Sequence, residues 1–148
     1  MCVEADELRA LFPGRAFGRP CAESELQQAE QALGEPLPAT LRELYLVFDG
    51  FRGPTDATFL WPLFAEEGLV AMNQFYRGDP LFPQELVTQC LFFGDNGCGP
   101  QWGFKRDLPG RIIRWSAAWG TEFEVVGTSP FDAWKAEKEV YDTLQSEI

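Results

Sequence analysis

Two carboxylates, a thiol and a glycine-rich run are the residues of this 148-residue chain whose types and spacing could do chemistry. Glu122 and Glu124 could serve as a paired acid and base for hydrolysis. Their i, i+2 spacing in a strand instead places both on one face, opposite Phe123 and Val125, and a solvated outer face accounts for them fully. Cys98 is a candidate nucleophile beside a turn. It has no histidine to activate it, because the sequence contains none, and no helix start follows to lower its pKa. A small, partly buried thiol is the expectation. The missing histidine also removes Ser-His-Asp and Cys-His catalysis, H-E-x-x-H zinc sites and histidine proton shuttles. The four cysteines, at 2, 21, 90 and 98, form no C-x-x-C pair and are too widely spaced for a thiolate zinc site. Neither a catalytic residue, nor a metal site, nor a cofactor is predicted.

The run Gly94-Asp95-Asn96-Gly97-Cys98-Gly99 fails as a dinucleotide loop, lacking the third glycine and a following helix. It lacks the alternating carboxylates and terminal Glu of a calcium loop. Asn96-Gly97 favours the positive φ angles of a hairpin connection, so a turn is predicted. That turn is either purely structural or also presents Asp95 and Asn96 to a partner. Trp115, Trp119 and Phe123 flank the loop 116–118. They are core residues, or, if one is exposed, an interface anchor of the kind Trp often supplies.

The elements that must position these residues are legible from periodicity. A short helix with the stripe Leu8, Leu11 and Phe12 opens the chain and stops at Pro13-Gly14. An amphipathic helix over 22–33 turns Ala22, Leu26, Ala29 and Leu33 inward and Glu23, Gln27, Glu30 and Gln31 to water, with Gly34 as its left-handed stop. A second helix runs from Pro38 to Phe48 with Leu41, Leu44, Tyr45 and Phe48 buried; Leu46 and Val47 widen the stripe enough to suggest burial on several sides. Strand formers at 58–63 precede a helix over 68–76. Strands at 90–93, 101–105, 111–115 and 122–126, joined by turns, imply an antiparallel meander. A C-terminal helix begins with Ser129 as N-cap, Pro130 in its first position and Asp132 at capping-box spacing. Its stripe of Phe131, Trp134, Tyr141, Leu144 and Ile148 is expected to pack on the sheet.

Charge narrows the partner class. Twenty-three acids against 12 bases give a formal net charge of −11. Such a field repels nucleic-acid phosphates and anionic lipid and attracts basic partners, though it also serves plain solubility. Six acids and one base, Arg42, lie between Glu23 and Asp49, predicting an acidic helical face. Lys105, Arg106, Arg111 and Arg114 are the local exception, placed on the exposed side of a hairpin. Residues 1–12 carry Glu4, Asp6 and Glu7 without an apolar core, so no secretory signal is read there, and no apolar run approaches the ~18 residues of a membrane span. Reduced thiols in a cytoplasmic protein are expected. One domain is expected over 1–148, with 1–20 as an N-terminal extension.

The order of these signals resembles a known family. Ala29-Glu30-Gln31-Ala32-Leu33-Gly34-Glu35-Pro36-Leu37-Pro38 running into Leu41-Arg42-Glu43-Leu44-Tyr45 and Asp49-Gly50 is similar to the opening of the SUKH superfamily, the Smi/Knr cell-wall-regulator-like proteins. Phe92-Phe93-Gly94-Asp95-Asn96-Gly97-Cys98-Gly99 with Trp102-Gly103-Phe104 resembles its middle motif. Ile112-Ile113-Arg114-Trp115 and Ser129-Pro130-Phe131-Asp132-Ala133-Trp134 resemble its closing strand and helix. The resemblance spans about Ala22 to Trp134, with Pro130 and the Cys98-Gly99-Pro100 turn as departures.

The resemblance implies an α+β fold: a curved antiparallel sheet of about four to six strands packed against N-terminal helices and a C-terminal helix. It implies no catalytic residues. Bacterial members are mostly immunity proteins that bind and neutralise a cognate polymorphic or contact-dependent toxin, often a nuclease; fungal relatives are regulatory scaffolds. The leading expectation is thus an immunity protein, monomeric or weakly dimeric, whose partner is a basic toxin and which binds neither nucleic acid nor membrane. The rival is a regulatory or scaffolding module for a host protein or small ligand. Partner contacts are expected at Glu23, Glu30 and Asp49 on the acidic helical face, at Asp95 and Asn96 in the turn, and at Trp119.

Overall fold

The structure is a computed structural model, and it describes residues 3–14, 17–54 and 57–146. Among these residues, six α-helices and six strands follow one another as α1 (Val3–Leu11), α2 (Glu23–Leu33), α3 (Ala39–Tyr45), β1 (Phe51–Arg52), β2 (Thr58–Leu60), α4 (Leu69–Gly78), α5 (Gln84–Val87), β3 (Cys90–Asp95), β4 (Gln101–Lys105), β5 (Ile112–Trp115), β6 (Glu124–Gly127) and α6 (Pro130–Ser146). Strands β3-β4-β5-β6 form the predicted antiparallel meander, and β1-β2 a separate small hairpin. The fold is α+β.

Strand alternation gives the meander two apolar faces. Leu91, Phe93, Trp102 and Ile112 join a large core with α1, α2, α3, β1, β2 and Trp134 of α6. Cys90, Phe92, Ile113 and Trp115 point the other way, into a smaller cluster with Trp61 and α5. Both faces are therefore covered, unlike the one-sided pattern common in antiparallel sheets. The opening helix is part of the core through Ala5, Leu8 and Phe12.

The free edge of β3 is closed by two side chains and one backbone N–H where a strand would otherwise pair. A register shift between Phe92 and Gly94 leaves adjacent residues with outward-facing groups. Buried Asn73 of α4 answers Phe92: its Nδ2 donates to Phe92 O (2.8 Å) and its Oδ1 accepts from Phe92 N (2.8 Å). Trp61 N donates to Phe93 O (2.7 Å), and Arg77 to Cys90 O (2.7 Å). Gly94 has no room for a side chain, because a Cβ there would collide with the Phe59 carbonyl.

Several expectations are corrected. Helix α3 stops at Tyr45, so Leu46 is exposed; Phe48 turns inward because its N–H follows Leu44 O (2.9 Å). Lys105 is buried, not on an exposed hairpin face: alternation turns it toward Gln89, Asp107 and the ring of Phe123. Cys98 is exposed, because the turn carries it beyond the strand ends. Ala22 is also exposed, lying one residue before α2. The α6 stripe packs only through its first turns. Leu144 and Val140 are exposed where the helix runs past the sheet, and Ile148 lies outside the described residues, as does Cys2. Asp132 does close the start of α6: it accepts from Thr128 N (2.9 Å) and Thr128 Oγ1 (3.0 Å), with the Ser129 backbone N–H beside them.

Candidate functional site

The turn after α3 begins the site. Gly50 takes φ 87°, and a Cβ there would meet Leu60 O at 2.7 Å, so the turn packs directly on β2. Asp49 N donates to Arg19 O (2.6 Å) and Gly18 N to Gly50 O (2.9 Å), which ties the segment before α2 to the turn. The Asp49 carboxylate leaves in the other direction: Oδ1 accepts from Leu63 N (2.8 Å).

The stretch Trp61–Leu63 is held from four sides. Besides Asp49 and Phe93, Tyr45 Oη donates to Trp61 O (2.6 Å), and the Trp61 indole donates from Nε1 to Asp95 Oδ2 (2.8 Å). Asp95 Oδ1 accepts from Gly97 N (2.8 Å), fixing the start of the glycine-rich turn. Asp49 and Asp95, 46 positions apart in sequence, thus brace the same short segment.

Between them opens a cleft of about 510 Å³. Its lining includes Asp49, Glu67 and Asp95, with Phe17, Trp61, Pro62 and Met72 as apolar wall and Arg52 at the side. Asp49, Glu67 and Asp95 make no ion pair among the described residues, and Arg52 is exposed and equally unpaired. Next to the cleft, burial pushes the Cys21 thiol up to about 12, with the Asp49 charge adding to it; such a thiol stays protonated and inert.

The remaining predicted contacts are scattered. Asn96 alternates away from Asp95: its Nδ2 donates to Glu137 Oε1 of α6 (2.7 Å) and its Oδ1 accepts from Cys98 N (2.9 Å). Glu30 is not a free surface acid, since Oε2 accepts from Leu37 N (2.7 Å) and faces Arg42. Glu23 pairs with the same guanidinium, which holds its carboxyl below the usual range. Arg42 therefore compensates much of the acidic helical face. Trp119 is half-exposed on a single helical turn (Ala117–Trp119), 5.8 Å below the Arg114 guanidinium that pairs with Glu124. Trp115 is fully buried, stacked on Phe92 at 5.3 Å.

Sequence reasoning missed Glu67, Phe17, Arg52 and Met72 as cleft residues. Nothing in their spacing signals it, because they come from two connections, strand β1 and helix α4. Trp61-Pro62 carried a faint signal: an aromatic followed by a strand-ending proline beside the Asp49 turn.

The fold and cleft define an α+β protein with an acid-lined recess. The SMI1 / KNR4 family (SUKH-1) matches residues 20–141, and the chain belongs to that family. No curated protein matches the chain. Among the described residues, no helix is long and apolar enough to cross a membrane.

Proposed function

We propose that this protein is an immunity protein that binds a cognate toxin in the cytoplasm and holds it inactive by protein–protein contact. Bacterial members of the SUKH superfamily are mostly of this kind, and family membership supports the reading. The observation that carries the reading for this chain is the cleft, whose lining brings Asp49, Glu67 and Asp95 together with no ion pair to any of them among the described residues. In a chain of net charge −11, such a surface steers a basic partner into contact and penalises acidic ones. Binding needs no catalytic group, only complementary shape and charge.

The test is reconstitution with the toxin encoded beside this gene. Purified together, the two form a complex whose association rate falls roughly tenfold or more between ~50 and ~500 mM salt. Co-expression also protects cells from the toxin. Absence of both complex and protection sinks the proposal.

A further inference from the structure

We infer that the cleft between the Asp49 turn and the end of β3 receives an arginine side chain of the partner, presented on a segment with apolar neighbours. This rests on the partner-binding reading above. At about 510 Å³ the cleft far exceeds a water or ion site, and it suits one long side chain with the flanks of its neighbours. Half-buried Phe17, Pro62 and Met72 offer apolar surface for the stem of such a side chain.

Charge decides what the head must be. Three carboxylates line the cleft against one arginine, Arg52, which is itself exposed. Elsewhere several acids are paired internally, Glu25 with Arg19, Glu23 and Glu30 with Arg42, Glu35 with Arg77 and Arg106, Glu124 with Arg114, while others such as Glu43, Glu85 and Glu139 are singly exposed on the surface. Every ion pair among the described residues lies outside the cleft. What sets the cleft apart is that three unpaired carboxylates share one recess with apolar walls, where a cation on a long apolar stem can meet both.

Geometry favours a guanidinium over a metal ion or an ammonium. The carboxylates come from separate walls: the turn after α3, the loop before α4 and the end of β3. Among the described residues no three such groups converge closely enough to hold a metal. A guanidinium spreads five N–H donors over a plane and sheds water readily, so it can address dispersed acceptors that a point ammonium cannot. Asp49 and Asp95 are already oriented by Leu63 N, Trp61 Nε1 and Gly97 N. Their remaining lone pairs are therefore pre-aimed, and little ordering is lost on binding.

The Trp61 indole reports directly on the site through its bond to Asp95. In the full chain labelled with ¹⁵N, titration with N-acetyl-arginine-amide should move the Trp61 Nε1–H resonance saturably. N-acetyl-citrulline-amide, of nearly equal shape but uncharged, should not move it. Glu67→Gln, at an exposed residue with no hydrogen bond among the described residues, should weaken the arginine ligand roughly threefold. A flat titration to ~50 mM, or an equal response to citrulline, overturns the inference. If the indole stays unmoved while the toxin still binds, with Glu67→Gln harmless, the cleft inference falls and the immunity reading stands. A guanidinium-specific shift without any toxin complex does the reverse.

Discussion

Replacing Asn73 by Leu tests whether side chains seal the edge of β3, the strand that delivers Asp95 to the cleft. Asn73 is 1% exposed, and its amide both gives to and takes from Phe92 while also donating to Leu69 O (2.8 Å). Leucine keeps the branched outline without the polar atoms, and its bulkier methyls add some overpacking at the 2.8 Å contacts. What changes is that the N–H and C=O of Phe92 lose their partners in a place closed to water. Each buried orphan costs about 1–3 kcal/mol, and the pair together about 3 kcal/mol after partial relaxation. For a chain of this size that lowers Tm by about 6–12 °C. With a urea slope near 2 kcal/mol/M, the midpoint falls by about 1.5 M at unchanged slope.

Equilibrium unfolding followed by tryptophan fluorescence reads the energy, and amide exchange at Phe92 reads the mechanism. Asn73→Asp supplies the contrast. An ionised carboxylate still accepts from Phe92 N but cannot donate to Phe92 O, and it is a buried charge. At neutral pH it should be at least as damaging as leucine, and acidification should recover part of the loss because a protonated carboxyl can donate. A cost under about 1 kcal/mol for Asn73→Leu, with Phe92 exchange unaltered, refutes the sealing argument.

Gly94→Ala drives a Cβ into the Phe59 carbonyl and should destabilise by about 3 kcal/mol or more, read by urea denaturation. On a Cys2→Ser background, Ellman's reagent should modify Cys98 rapidly and leave Cys21 and Cys90 until unfolding, because burial pushes both thiols up to about 12; Cys98→Ser should remove the fast phase. The Arg19 bond holds the Glu25 carboxyl down at about 2 against its ordinary 4.5. A depressed carboxylate stabilises fully above its unfolded pKa, so this contribution is lost as pH falls from about 4.5 toward 2. Unfolding midpoints measured across that window should show a shallower acid limb for Glu25→Gln.

The elements were legible because their signals are local. Gly34 takes φ 74° and receives the last turn of α2 through its N–H to Glu30 O (2.9 Å), as its position after an amphipathic run requires. Strand β4 occupies Gln101–Lys105 as alternation predicts. Periodicity also misled in specific ways. It read Lys105 as exposed because alternation says which residues share a face, not whether that face is covered, and here both faces are. It extended the α6 stripe to Leu144 because helical spacing continues past the point where the sheet ends beneath it.

By itself, the sequence determined the α+β class, the meander, the lack of histidine and the surplus of 11 negative charges. These depend on composition, turn chemistry and short-range periodicity, all of which are written in neighbouring residues. Only the tertiary structure decided which acids are available. Glu23 and Glu30 share a helix that reads as an acidic face, yet Arg42 arrives from the next helix and takes both. Asp49 and Asp95 were expected as separate contacts, one on the helical face and one in the glycine-rich turn, yet packing around Trp61 brings them to one cleft with Glu67 and without an ion pair among the described residues. Whether a carboxylate is spent inside the fold or presented to a partner depends on which distant chain segment lies within a few ångströms, and spacing along the chain carries no record of that.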